Sequence, residues 1–207
     1  MKLWSKNNTN TTQAVEQFTV GKDKDFDTLL APYDVLGSIA HVKMLASIGL
    51  LTNQEMLALV NELQAIYQLV IQPGFTIPEG VEDIHSFVEL MLTQKLGDMG
   101  KKIHSARSRN DQVLVDIKLY LRAEIQTIAE STYALFELLQ QKSEEYKDCI
   151  LPGYTHLQLA MPSSFGLWFG AYAESLVDDL IMLESAYSIV NKNPLGSAAG
   201  YGSSFPL

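Results

Sequence analysis

The 207-residue sequence is 47% apolar and 19% charged, a globular composition long enough for one domain or one and a half with a substantial core. A formal net charge of −9 repels phosphate backbones at long range and argues against nucleic acid as a partner. The single cysteine, Cys149, precludes an internal disulfide, fits a reducing compartment and reads as a small residue near a helix end.

The N-terminal MKLWSKNNTNTTQ has no apolar core and does not read as a signal peptide; sequons at Asn7 and Asn10 carry no weight without an export signal. Helical periodicity dominates the remainder of the chain, and strand signals are scarce. A helix is expected over 34–50, loosened near Gly49. The TNQE stretch, Thr52 to Glu55, is a capping box opening a helix with Met56, Leu59, Val60, Leu63, Tyr67 and Val70 on one face. PGFTIPEG at 73–80 is a loop, and a short helix over 84–96 should end at Gly97.

Neither glycine nor proline occurs between Gly100 and Pro152, and Asn110 to about Lys147 reads as one helix. Val113, Ile117, Leu121, Ile125, Ile128, Leu135 and Leu139 form one stripe. Leu114, Leu119, Tyr133 and Phe136 lie off it, so more than one face should be buried. Such a helix spans roughly 55–60 Å, longer than a compact globule of this size, about 40–45 Å across. An elongated bundle is expected, its surplus apolar surface meeting other subunits.

Residues 150–173 carry no Asp, Glu, Lys or Arg, yet Pro152, Gly153, Thr155, His156, Gln158 and Pro162 break any membrane-spanning run. The chain reads as soluble and cytoplasmic. A last helix is expected from Pro162, with Phe165, Phe169, Tyr172, Leu176, Leu180, Leu183, Tyr187 and Val190 along its packed face. NPLGSAAGYGSSFPL fits neither a phosphate loop nor a dinucleotide fingerprint. Ending in a glycine-rich loop, the chain reads as a fragment. Residues 1–100 are read as an N-terminal helical domain and 101–207 as the first part of a central long-helix bundle.

Three polar islands interrupt the helices: VEDIHS (81–86), HSARSRND (104–111) and GYTHLQ (153–158). All fall at expected helix ends or turns, which in a bundle can converge on one pocket. Ser108 or Asn110 can cap the long helix, whose first amides favour an anion. Arg107 and Arg109 add forked donors suited to carboxylates. The competing reading is a helix cap with solvated arginines, and this island alone does not separate the two. His156 is the best acid/base candidate because imidazole titrates near neutral pH. His85, two residues from Asp83, can be a carboxylate-oriented imidazole; His41 lies on a helix face and His104 flanks the arginines. No histidine pair has metal-ligand spacing, so no metal is expected, and no Gly-x-Ser-x-Gly elbow occurs.

Together HSARSRNDQV, PGYTHLQLAMP and EDIH, with DVLGSIAH at 34–41 and PLGS at 194–197, resemble argininosuccinate lyase of the fumarase/aspartase superfamily. The resemblance implies an all-α fold, an elongated bundle of long helices incomplete in this chain. It implies homotetramers whose active sites use loops of three subunits, and a cofactor-free β-elimination of argininosuccinate to arginine and fumarate. By the same resemblance, Ser108, Arg109 and Asn110 grip the succinate carboxylates. Thr155 and Gln158 bind substrate, and His156 is the acid/base. Asp27 faces the arginine half, while Asp83 and His85 are either substrate-proximal or stand behind the residues that touch substrate. Departures are Asp23 where many members have serine, Met161 for glutamine and Ala198 for glycine. The family's catalytic serine loop is expected beyond residue 207, so residues 1–207 alone are expected to be inactive. Two other readings are a lyase acting on another succinyl adduct such as adenylosuccinate, against which SRND argues, and a non-catalytic helical assembly module.

Overall fold

The structure, a computed structural model, describes Phe18 and residues 22–194. The sequons, PLGS beyond Pro194, Ala198 and GSSFPL lie outside the described residues. Helices α1 (Asp23–Ser47), α2 (Asn53–Val70), α3 (Ile84–Leu96) and the short α4 (Asp98–Lys101) come first, with a 3-10 turn at Lys102–His104 after them. The long α5 (Arg109–Glu145) leads through a hairpin of β1 (Ile150–Thr155) and β2 (Gln158–Ser164) into α6 (Phe165–Val190). The fold is therefore helical, as expected, with one antiparallel pair of strands among the described residues. Two compact units are present, one up to Tyr120 and one over Leu121–Lys192.

The first unit holds the core. Helix α1 starts at Asp23, eleven residues before the expected position 34, and runs through Pro32. The proline removes one backbone hydrogen bond, but Asp23 and Asp25 suit the positive helix start. Burial of Ala31, Val35, Val42 and Leu45 holds the rest. The capping box of α2 forms: Thr52 Oγ1 accepts the Glu55 N–H at 3.2 Å, and Glu55 Oε2 accepts the Thr52 N–H at 2.9 Å. Asp83 caps α3 by accepting the Ser86 N–H at 2.7 Å. Gly97 ends α3 at φ 63, a left-handed conformation that favours glycine. Leu45, Leu59, Leu63, Ile66, Ile84 and Leu92 are fully buried between these helices, a gross stabilisation on the order of 10 kcal/mol at roughly 1.5–3 kcal/mol per side chain.

The second unit contains most of α5 together with the hairpin and α6. Its two helices are antiparallel, since Arg122 lies over the Tyr187 ring at 5.8 Å while Ser143 Oγ donates to the Gly166 carbonyl at 2.7 Å. Its apolar stripes, whose surplus surface is expected to meet other subunits, are largely open in the single chain: Ile128 is 51% exposed and Tyr172 53%. The strands are a second difference. GYTHLQ is expected at a helix end or turn with no strand, but Ile150 pairs with Ser164, Pro152 with Pro162 and Thr155 with Gln158. Prolines are tolerated because each strand of a two-stranded sheet has an open edge. Helix α6 accordingly begins at Phe165 instead of Pro162, with Ser164 Oγ accepting the Leu167 N–H at 3.1 Å.

Helices α3 and α4 cross so closely at Gly100 that a methyl there would lie 2.5 Å from the backbone carbonyl carbon of Leu92. Backbone cannot move aside as a side chain can. Gly100→Ala should therefore lose about 1–3 kcal/mol of stability, read by urea denaturation; an unchanged midpoint would mean that the helices do not meet there.

Candidate active site

One face of α1 carries Asp27, Asp34, Ser38 and His41, at steps of seven, four and three. Each meets a neighbouring segment. Asp27 Oδ2 accepts the Ile84 N–H at 3.2 Å. Asp34 Oδ1 lies 2.7 Å from His85 Nδ1. Ser38 Oγ accepts from Arg107 at 3.1 Å, and His41 Nε2 lies 2.8 Å from the Ser105 carbonyl. This stripe ties the VEDIHS and HSARSRND islands together.

The arginine loop is constrained. Ala106 has φ 59, a left-handed conformation that costs a side chain on the order of 1 kcal/mol. The contacts of His41 and Ser38 on either side hold it. Because a carbonyl only accepts, His41 Nε2 must carry the proton that it donates. Burial, and the Arg107 charge next, push the His41 pKa down to about 4. Ser108 immediately precedes α5, and Asp111 Oδ2 reaches back to accept both its N–H at 2.7 Å and its hydroxyl at 3.0 Å. Asn110 is exposed in the first turn. Arg109 turns toward α3: one guanidinium nitrogen lies 2.8 Å from Asp83 Oδ2 and the other donates to Ser86 Oγ at 2.7 Å. Asp83 thus both caps α3 and anchors Arg109.

Beneath the loop lies a buried polar cluster of Asp34, His85, Gln112 and Asp116. Gln112 Nε2 donates to Asp34 Oδ1 at 3.4 Å. His85 Nδ1 is also 3.9 Å from Asp116 Oδ2. Burial first, and the Asp34 charge second, push Asp116 up to about 9, and burial likewise raises Asp27. Asp34, His85 and Asp116 bring their donor atoms within 4.8 Å of one another, a spacing that a metal ion could bridge. His85, His104, Arg107, Arg109 and Gln112 line a small pocket above this cluster. The pocket offers two guanidinium groups and imidazole nitrogens beside a helix start, a setting for an anion and for proton transfer.

Thr155, His156 and Gln158 belong to the second unit and are exposed on its hairpin. His156 and Leu157 form the two-residue turn with φ 50 and 62, the type I′ geometry that matches strand twist. Gly153 opposes the Met161 carbonyl so closely that a Cβ would lie 2.5 Å from it. The strand pairing thus holds His156 in a strained conformation at the tip. Asp27, Asp83, His85, Ser108, Arg109 and Asn110 all lie in the first unit.

Sequence reasoning missed Asp34, Gln112, Asp116 and the burial of the Arg107 head. A signal was present: Gln112 and Asp116 continue the Arg109 line at steps of three and four, and Asp34 continues that of Asp27.

Residues 5–206 match the family model described as Lyase. The argininosuccinate lyase of Parabacteroides distasonis is 64% identical over 206 residues, covering all of this chain and 46% of that protein. That of Thermotoga neapolitana is 42% identical over 201 residues, 97% of this chain and 50% of that protein. The chain therefore spans about half the length of the curated relatives it matches. Among solved structures, EDDS lyase in complex with formate is similar with a TM-score of 0.77 and 26% identity, over 96% of this chain and 39% of that one. The fumarate lyase:delta crystallin of Brucella melitensis shares the fold, with a TM-score of 0.72, 19% identity and coverage of 89% and 46%.

The His41 environment has a pH signature. Its folded pKa of about 4 lies below the ordinary 6.5, so its contribution is intact above 6.5 and is lost as pH falls toward 4. His41→Gln replaces the donor with a neutral amide. The unmodified protein should lose stability relative to this variant across that window in thermal melts, with a constant difference above 6.5. Parallel curves would mean that His41 is not held against the Ser105 carbonyl.

Proposed function

The chain belongs to the lyase family, on its argininosuccinate lyase branch, and from that premise we propose that the protein cleaves argininosuccinate to arginine and fumarate by β-elimination. The observation that carries the reading is the pocket in which Arg107 and Arg109 meet the start of α5. Such an array suits a dicarboxylate, and the substrate's succinyl half is one.

In the proposed reaction a base removes the proton beside one carboxylate, and that carboxylate takes up the charge as an enolate dianion. Guanidinium groups and helix-start amides lower the energy of this species more than that of the ground state. The electron pair then forms the fumarate double bond as the carbon–nitrogen bond breaks, and an acid protonates the departing guanidino nitrogen. Ser108, Arg109 and Asn110 would hold the carboxylates, with Thr155 and Gln158 binding substrate. His156 would transfer a proton, and Asp27 would face the cationic arginine half. Asp83 supports Arg109 through its 2.8 Å ion pair, and His85 borders the pocket. No cofactor enters the scheme.

We further propose that the protein works as a homotetramer in the cytoplasm. The exposed apolar stripes of α5 and α6 support assembly. No helix among the described residues is long and apolar enough to cross a membrane.

The test follows fumarate by ultraviolet absorbance in a protein that carries the remaining half of its relatives' length. Turnover of argininosuccinate supports the reading; turnover of adenylosuccinate alone, or an inactive oligomer, favours one of the other two. His156→Asn should keep the fold and lower kcat by roughly 10²-fold or more. Near-normal turnover would take His156 out of the chemistry. Arg109→Lys replaces a fork that spans Asp83 and Ser86 with a point charge, so KM should rise and kcat fall together. Unchanged kinetics would leave Arg109 a structural tether.

A further inference from the structure

The buried cluster below the pocket poses a problem of satisfaction. Asp34 Oδ1 takes the His85 and Gln112 donors, but Asp34 Oδ2 and Asp116 Oδ2 are both buried without a donor. One oxygen of each carboxyl group lies within 4.8 Å of the other in this dry space. Two carboxylates that close and that buried do not both stay ionised, so one of them keeps a proton. We propose that Asp34 and Asp116 share one proton, and that Asp116, as the protonated partner, is a positioning residue that holds His85 through Asp34.

The assignment within the pair comes from the neighbours. Asp34 accepts two N–H donors and carries the negative charge; Asp116 lies at 3.9 Å from His85 Nδ1, too far for a hydrogen bond. Asp116 is 1% exposed, where an unpaired charge is costly and a neutral acid is not. Its raised pKa agrees. The ionisable groups that act on it are Asp27 and Asp34 on α1, His85 on α3 and Arg107 before α5. Of the cations, Arg107 favours its ionisation, but burial and Asp34 outweigh that.

A bridging metal ion is the competing way to satisfy the same oxygens. It requires a free nitrogen lone pair, yet His85 Nδ1 is bonded to Asp34, so Nδ1 carries the proton. The nearby Arg107 charge would also repel it. With one proton instead, Asp34 fixes His85 as the Nδ1–H tautomer, leaving Nε2 as the ring nitrogen available to the pocket that His85 lines. Were Asp116 ionised, a second negative charge would compete for the imidazole and loosen that orientation.

The inference rests on the lyase reading only in calling the pocket a substrate pocket, and its test involves no substrate. Infrared difference spectra between the unmodified protein and Asp116→Asn should show a protonated carboxylic-acid band at pH 7. The band should disappear as pH rises past about 9. Nitrogen NMR of His85 should report the Nδ1–H tautomer in the unmodified protein and in Asp116→Asn, whose amide can donate as the acid does. It should be lost in Asp34→Asn. Absence of the carboxylic-acid band at pH 7, loss of the tautomer in Asp116→Asn, or displacement of the band by added Zn²⁺ or Mn²⁺ would each overturn the proposal. The two infrared measurements do not involve the Asp34 variant, so they stand whether or not it folds.

Discussion

Everything in the first unit that bears on chemistry depends on charges brought together in the dry space between α1, α3 and the start of α5. Asp34 and His85 meet at 2.7 Å there with Asp116 beside them, and Arg107 supplies the compensating positive charge. Removing Asp34 or Arg107 would leave the other's charge buried and uncompensated, which costs about 3–5 kcal/mol in buried ion pairs. Hydrophobic packing of Leu45, Leu59 and Leu63 brings the helices together, but it is indifferent to small shifts along a helix. The polar contacts fix the register: Asp27 on the Ile84 amide, Ser38 on Arg107, His41 on the Ser105 carbonyl. A one-turn slip would break all of them. The pocket above inherits its shape from that register.

Arginines in this arrangement have divided duties. Arg107 is turned inward and its pKa is lowered by burial, so it serves the cluster as well as the pocket. Arg109 is braced by Asp83 and Ser86, which keeps its guanidinium beside the pocket without letting it collapse onto a neighbouring carboxylate at random. Such bracing is what preorganised anion recognition requires, because donors already held in place lose little entropy when a ligand arrives. The strained Ala106 between them is tolerated because its neighbours are pinned on both sides.

Local signals were legible in the sequence where the chemistry is local. The Thr52–Glu55 capping box, the end of α3 at Gly97 and the long glycine-free helix needed only near neighbours to be read. The arginine island was legible as an anion setting for the same reason, since a helix start and forked donors are contiguous. Asp34 and Asp116 were not legible as buried, because an aspartate in a helix looks the same whether water or another helix covers it. The hairpin was missed because its turn uses His156 and Leu157 where glycine or asparagine would have announced positive φ. The apolar stripes of α5 and α6 were legible as well, but the surface expected to meet other subunits is open in the single chain.

The central claim is that the buried charges act as one coupled unit. A double-mutant cycle between Asp34→Asn and Arg107→Gln, read by chemical denaturation, tests it most directly. Each single change should cost more than its share of the double change, leaving a coupling of about 1–3 kcal/mol. Additivity to within about 0.5 kcal/mol would contradict the account, because it would mean that the two charges do not feel each other across the helix interface.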